Sequence, residues 1–284
     1  WILIFCFLPA INRITTPNTP TDHLGWIGEY WVEKKPDVVI QIGDFADMES
    51  LSYYIRGKIQ AEGTRYKKDI KASKKAMKIL TDPLRKYNEK RRMFKEKQYR
   101  PEQHLTLGNH ENRIARAVES DPKLDGFMSY EDLEYENYGW KVHEFLDVVE
   151  IDGLAYSHFF ANPMSGRPYG GMSIDTRLKN IGFSFVQGHQ QIYISGTRPL
   201  NNGSVLRGLV CGACYLHDED YRGKQGNAEW RGIFLLHEVK NGNYSLCEVS
   251  LDFLCRRYEG MPLWMFMKKK YPKIFRESTW MQKQ

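Results

Sequence analysis

No apolar run in this 284-residue chain is long enough to cross a bilayer as a helix. The longest, WILIFCFLPAI at positions 1–11, falls short of the roughly 20 residues that a spanning helix needs. It also lacks the basic flank of a secretory leader, so a buried first strand is expected and a membrane partner is not. Cysteine is scarce. Cys6, Cys211, Cys214, Cys247 and Cys255 are odd in number and scattered, which argues against a disulfide framework and for a reducing compartment, the cytoplasm. CGAC at 211–214 has CxxC spacing, but no second pair or His-rich partner accompanies it, so strand and turn packing explains it. Internal repeats and low-complexity linkers are absent, which removes solenoids and disordered spacers. Nothing in the sequence fixes an oligomeric state.

What is present describes a globular chain: 42% hydrophobic residues, 13% aromatic, net charge +6. The charge is uneven. Between Arg56 and Arg100 stand 17 Lys or Arg against 5 Asp or Glu, so the rest of the chain is net acidic. A basic block of this kind is either a solvated helix face or a polyanion contact.

Residues 21–34 (TDHLGWIGEYWVEK) carry a helical pattern capped by Thr21 or Asp22, and VVIQI that follows is a strand bounded by Pro36 and Gly43. With the first run this predicts a strand–helix–strand unit. Residues 65–98 predict a long helix interrupted at Pro83, with Ile70, Met77, Leu80, Leu84 and Tyr87 at helical spacing. Leu105 to Leu107 end a further strand. From 140 to 160 the pattern is strand-like, with a hairpin at Asp152-Gly153. Further strands are expected at 183–188, 205–211, 231–239 and 243–250, the last two joined by NGN. Parallel units first and hairpins later predict an α+β fold of two sheets packed face to face with helices outside. Residues 261–284 mix aromatics with lysines and are either a docking tail or an outer helix.

Four blocks share one design. IQIGDFAD delivers Asp44 after a strand and a glycine, LTLGNHE delivers Asn109 and His110, AYSHFF delivers His158 from a strand, and FVQGHQQ delivers His189. The carboxyl ends of strands are where α/β sheets bind ligands. One carboxylate, one amide oxygen and two imidazoles make a mixed nitrogen and oxygen set suited to Mn, Fe or Zn rather than Ca or Mg.

Together these blocks resemble the calcineurin-like metallophosphoesterase superfamily over roughly residues 1–250. Its pattern runs Asp-x-His, Gly-Asp-x-x-Asp, Gly-Asn-His-Glu/Asp, a lone His, and Gly-His-x-His. GDFADM and LGNHE carry most of the likeness, and GDFADMESLSYY with YLHDEDY looks most like phage-type members. The resemblance implies a four-layer α/β/β/α sandwich of two mixed sheets over residues 1–260, with residues 56–100 as a basic helical insertion and 261–284 as a tail. It implies that Asp44 bridges two divalent metals, Mn²⁺ before Fe or Zn, and that Asn109, His158 and His189 complete one of the two sites. His110 would be the general acid or a donor to the phosphoryl group. Asp47 and Glu111 would orient ligating or catalytic imidazoles.

The departures concern the other metal site. The first motif falls near LPAINRITTPNTP, with Asn12 in place of the Asp and Ile14 in place of the His; Gln191 stands where the last His should be. Asn12 and Gln191 are weak ligand candidates, because amide oxygens bind a hard cation without anionic charge. Asp22 could substitute only if its loop folded back, and TDHLGWI reads as a helix start.

For substrate, the basic 56–100 block lies between two motifs, so DNA or RNA is the favoured phosphate ester, with Tyr53, Tyr54, Tyr66 and Tyr87 available to stack on bases. Arg113 and Arg167 are candidates to hold a substrate phosphate. Two functions follow: a metal-dependent phosphoesterase, phosphodiesterase or nuclease, favoured by Asp44, Asn109 and His110; or a degenerate one-metal member that binds nucleic acid or protein, favoured by Asn12, Ile14 and Gln191.

Overall fold

The run VVIQI is buried at every position as a strand, Val38–Ile42, which is what a strand covered on both faces requires. The computed structural model describes residues 1–5, 20–219 and 222–281. In chain order its strands are β1 (Ile2–Phe5), β2 (Val38–Ile42), β3 (Glu102–Thr106), β4 (Lys141–His143), β5 (Val149–Ile151), β6 (Leu154–Ser157), β7 (Phe185–Gln187), β8 (Tyr193–Pro199), β9 (Val205–Cys211), β10 (Gly232–Lys240) and β11 (Asn243–Ser250). The helices are α1 (Asp22–Lys34), α2 (Tyr66–Met93), α3 (Arg113–Ser120), α4 (Ile174–Ile181), α5 (Gly223–Gly226), α6 (Leu251–Glu259), α7 (Leu263–Lys270) and α8 (Pro272–Glu277).

The strands form two mixed sheets, one ordered β11-β10-β1-β2-β3-β4 and one ordered β5-β6-β7-β9-β8. Strand periodicity divides the core. Ile2, Ile4, Val38, Ile40 and Ile42 pack with Leu154, Tyr156, Val186 and Leu209 of the second sheet. Leu3 and Val39 turn the other way and join Leu24, Trp31, Met77, Leu80 and Leu254 of the helices. Ala155, Phe185 and Val210 pack with Leu178 of α4. The protein is therefore α+β, and its two sheets and helices are compatible with a two-sheet sandwich.

β1 and β2 pair in parallel across the α1 connection, as the opening of the sequence implies. The hairpin at Asp152-Gly153 joins β5 and β6, with φ of 53° and 77° at the two turn residues. One expectation needs correction: α2 runs without interruption through Pro83. The proline is buried against α1 at Gly28, where a β-carbon would lie 2.3 Å from the Leu80 carbonyl oxygen and 2.9 Å from Pro83 Cγ. The absence of a side chain there lets the two helices meet at the proline, and this packing offsets the lost helical hydrogen bond. The edge strand β8 lies outside the strands that the sequence pattern predicts. Leu263, Phe266, Met267, Trp280 and Met281 are buried in the same cluster as α1. Among the described residues no cysteine is in a disulfide, and no helix is long and apolar enough to cross a membrane.

Candidate metal centre

Each of the four blocks ends a strand, and the four ends meet. Asp44 follows β2 and Asn109 follows β3 in the six-stranded sheet, while His158 follows β6 and His189 follows β7 in the five-stranded one. Glycine makes the approach possible. A β-carbon on Gly43 (φ +70°) would lie 2.4 Å from His158 Nδ1 and 2.8 Å from Gly108 Cα, and one on Gly108 would lie 2.1 Å from Asp44 Oδ1. Asp44 and His189 themselves hold φ of 57° and 65°, a left-handed backbone that costs a non-glycine residue about 1–2 kcal/mol.

The side chains face one another with lone pairs. His158 Nδ1 is 3.0 Å from the carbonyl oxygen of Ile42, which can only accept, so the proton sits on Nδ1 and Nε2 is left bare. That Nε2 lies 2.9 Å from Asn109 Oδ1, 3.3 Å from Asp44 Oδ2 and 3.2 Å from His189 Nδ1. His189 Nδ1 is in turn 2.8 Å from Asn109 Oδ1. Asp44 Oδ2 is buried and accepts no hydrogen bond among the described residues. Acceptors this close repel unless a proton or a cation lies between them. Two ligands at right angles, each about 2.1 Å from an ion, stand about 3.0 Å apart, which is the spacing seen here. The Asp44, His158 and His189 ligand atoms all lie within 4.8 Å of one another, and this cluster could hold a metal ion.

Charge supports the same assignment. Burial pushes the Asp44 carboxyl up, but the positive charges that His158 and His110 can carry outweigh it and hold the group ionised, well below the carboxylate range. Burial and the neighbouring His158 push His189 down to about 4, so its imidazole is neutral and carries one lone pair. Burial alone would lower His158, yet the Asp44 carboxylate outweighs it and raises it, the pull that this anion exerts on any positive charge beside it.

Around this cluster stand its supports. The His110 backbone N–H donates to Asp44 Oδ1 at 3.0 Å, which turns Oδ2 towards the histidines. His110 Nδ1 lies 2.8 Å from Asp47 Oδ1, so this carboxylate fixes the ring's orientation. Arg113 donates through Nη1 to Asp47 Oδ1 at 2.9 Å and to the Asp47 carbonyl at 2.7 Å, and its Nη2 lies 3.4 Å from His110 Nε2. Glu111 acts differently from the expectation. Its buried carboxylate accepts from the backbone N–H groups of Asp44 (3.0 Å), Ala46 (2.7 Å) and Gly108 (2.9 Å), so it ties the two loops together and reaches no imidazole. Burial, and then the charge of Asp44, push its carboxyl up.

The remaining candidates lie apart. Gln191 Oε1 accepts from Tyr215 Oη at 2.9 Å and from Arg222 Nη1 at 3.0 Å, so both of its lone pairs are engaged. Asn12 and Ile14 lie outside the described residues. Asp22 opens α1 and accepts from Tyr271 Oη at 2.6 Å and from Lys270. Arg167 is exposed on the 161–168 turn, and among the described residues its side chain makes no bond to the cluster. Three supports carried little sequence signal. Arg177, only 1% exposed, donates to Gln190 Oε1 and to the Gly171 carbonyl, bracing the loop that presents His189. Tyr215 and Arg222 fix Gln191 from the polar stretch YLHDEDYRGKQGN, which the sequence suggested as a rim loop. Compared with models of known protein families and with curated proteins, the chain matches none of them.

Proposed function

We propose that this chain is a metal-dependent phosphoesterase acting on phosphodiesters, with the calcineurin-like chemistry its motifs resemble, on a four-layer α/β/β/α arrangement with residues 56–100 as a basic insertion. The observation that carries the reading is the close meeting of Asp44 Oδ2, Asn109 Oδ1, His158 Nε2 and His189 Nδ1, with Asp44 and His158 fully buried. These residues would hold a divalent ion, Mn²⁺ in the first place, with Fe and Zn also suited to the two imidazoles. When bound, such an ion polarises a phosphoryl oxygen and lowers the pKa of water to the neutral range.

The protein's own groups supply the rest. His110 is held through Nδ1 by the Asp47 carboxylate, which leaves Nε2 as the ring nitrogen that would pass a proton to a leaving oxygen. Arg113, anchored on the same carboxylate, sets its Nη2 beside Nε2, so two donors address one side of the site. Their fixed positions mean that little reorganisation accompanies charge development. The engaged lone pairs of Gln191 favour a single ion, and with it a second reading: a one-ion member that binds without turnover.

Hydrolysis of bis(p-nitrophenyl) phosphate by chelator-stripped protein, titrated with Mn²⁺, separates the two. Saturable, metal-dependent turnover that falls about 100-fold or more in His110→Ala supports the phosphoesterase. Folded protein that binds Mn²⁺ and stays silent throughout the titration supports the binding module.

A further inference from the structure

The segment from Tyr53 to Lys68 leaves the metal centre directly after the loop that carries Asp47 and leads into α2. Arg56, Lys58, Arg65, Lys67 and Lys68 are all exposed on it, against one exposed acid, Glu62. Among the described residues none of the five cations is ion-paired: Arg65 Nη1 donates to the Thr64 carbonyl at 2.7 Å and Lys68 Nζ to the Gly63 carbonyl at 2.8 Å, which leaves their charge uncompensated. Exposed Lys71 and Lys75 continue the row at helical spacing from Lys67, on one face of α2.

Aromatic rings stand among these charges. Tyr53 is 50% exposed and Tyr54 is 83% exposed, large for aromatic side chains. Tyr53 is also held in place, with its hydroxyl 2.8 Å from Ser120 Oγ and the exposed Arg116 guanidinium 5.4 Å from its ring centroid. Both partners belong to α3, the helix that begins with Arg113 beside His110. At the other end, the Ser50 N–H donates to Asp69 of α2 at 3.0 Å, so the segment is tied to the site on two sides. The other two candidate rings are half-buried: Tyr66 Oη donates to Asp132 at 2.6 Å, and both Lys35 and Arg91 lie against Tyr87.

We propose that this surface binds single-stranded nucleic acid, with Tyr53 and Tyr54 stacking on bases and Arg56, Lys58, Arg65, Lys67 and Arg116 holding phosphates. It thereby names the phosphodiester that the site described above would receive, and it rests on that reading only for the cleavage. Exposed rings decide for a single strand, because duplex bases already stack on one another and offer no open face. Unpaired cations around the rings supply the sequence-independent, salt-sensitive part of binding.

The test is fluorescence anisotropy of a labelled 20-nucleotide oligothymidine with the full chain in EDTA, where metal-dependent cleavage is off. Five phosphate contacts give a salt slope of about −3.5, so raising KCl from about 50 to 200 mM should weaken binding by roughly 130-fold. Tyr54→Ala, a change at an exposed ring, should weaken it by about 5-fold or more while the melting temperature stays put, and Arg56→Glu should both weaken it and flatten the salt slope. Equal affinity for duplex and single strand that ignores Tyr54→Ala overturns the proposal in favour of a general polyanion surface. Capture of phosphatidylserine vesicles with no oligonucleotide binding overturns it in favour of a lipid surface. Oligonucleotide binding with these properties in a chain that never hydrolyses bis(p-nitrophenyl) phosphate upholds it while removing the phosphoesterase reading.

Discussion

Asp44 uses its two oxygens for different ends: Oδ1 accepts the His110 N–H and Oδ2 faces the histidines. Asp44→Asn keeps the shape and removes the anion, so Mn²⁺ affinity should fall by more than about 100-fold in isothermal titration, with the fold intact by circular dichroism. Glu111 has the opposite profile. Glu111→Ala strands three buried N–H groups, and at about 1–3 kcal/mol each this should cost roughly 3–9 kcal/mol in urea unfolding, whatever the metal content. Neither split is visible in the motif, where both residues look like candidate ligands or their supports. Asp44, Asn109, His158 and His189 were legible because each closes an apolar run, three of them behind a glycine. Arg177 was not, because in DTRLKN it resembles any solvent-facing helix charge and only tertiary packing buries it.

At the scale of elements, the strands with both faces covered and the glycine-bearing turns left the clearest marks, as β2 and the Asp152-Gly153 hairpin show. β8 left almost none. Its residues alternate between partly buried and exposed along a sheet edge, and Ser195, Gly196, Thr197 and Arg198 dilute its apolar pattern. The break expected at Pro83 failed for a related reason: proline chemistry is local, whereas the room made for it belongs to another helix at Gly28. Gly28→Ala should therefore lower the unfolding free energy by about 1–3 kcal/mol, since its β-carbon would sit 2.3 Å from the Leu80 carbonyl oxygen. Chemical denaturation reads this directly, and an unchanged midpoint would refute the close contact.

For the molecule as a whole, pH and metal act on the same balance. Burial pushes His23 from 6.5 down to about 3, against a raising pull from Asp22. The unfolded chain therefore binds the proton that the native one refuses. Stability from this group is complete above pH 6.5 and is lost as the pH falls towards 3, at up to about 1.4 kcal/mol per unit. Urea midpoints of metal-free protein between pH 7 and 4 should fall accordingly, and less steeply in His23→Gln. At neutral pH, Mn²⁺ at about 100 times its dissociation constant should add about 2.7 kcal/mol.

The centre takes two residues from each sheet, so whatever fills it spans the seam between them. An ion there would act as a rivet. Amide hydrogen exchange at Gly43 and Asp44 on one side and at Gly188 and His189 on the other should then slow together when metal binds and quicken together when it leaves. Ion occupancy would thus decide whether the two sheets open as one cooperative unit or as two.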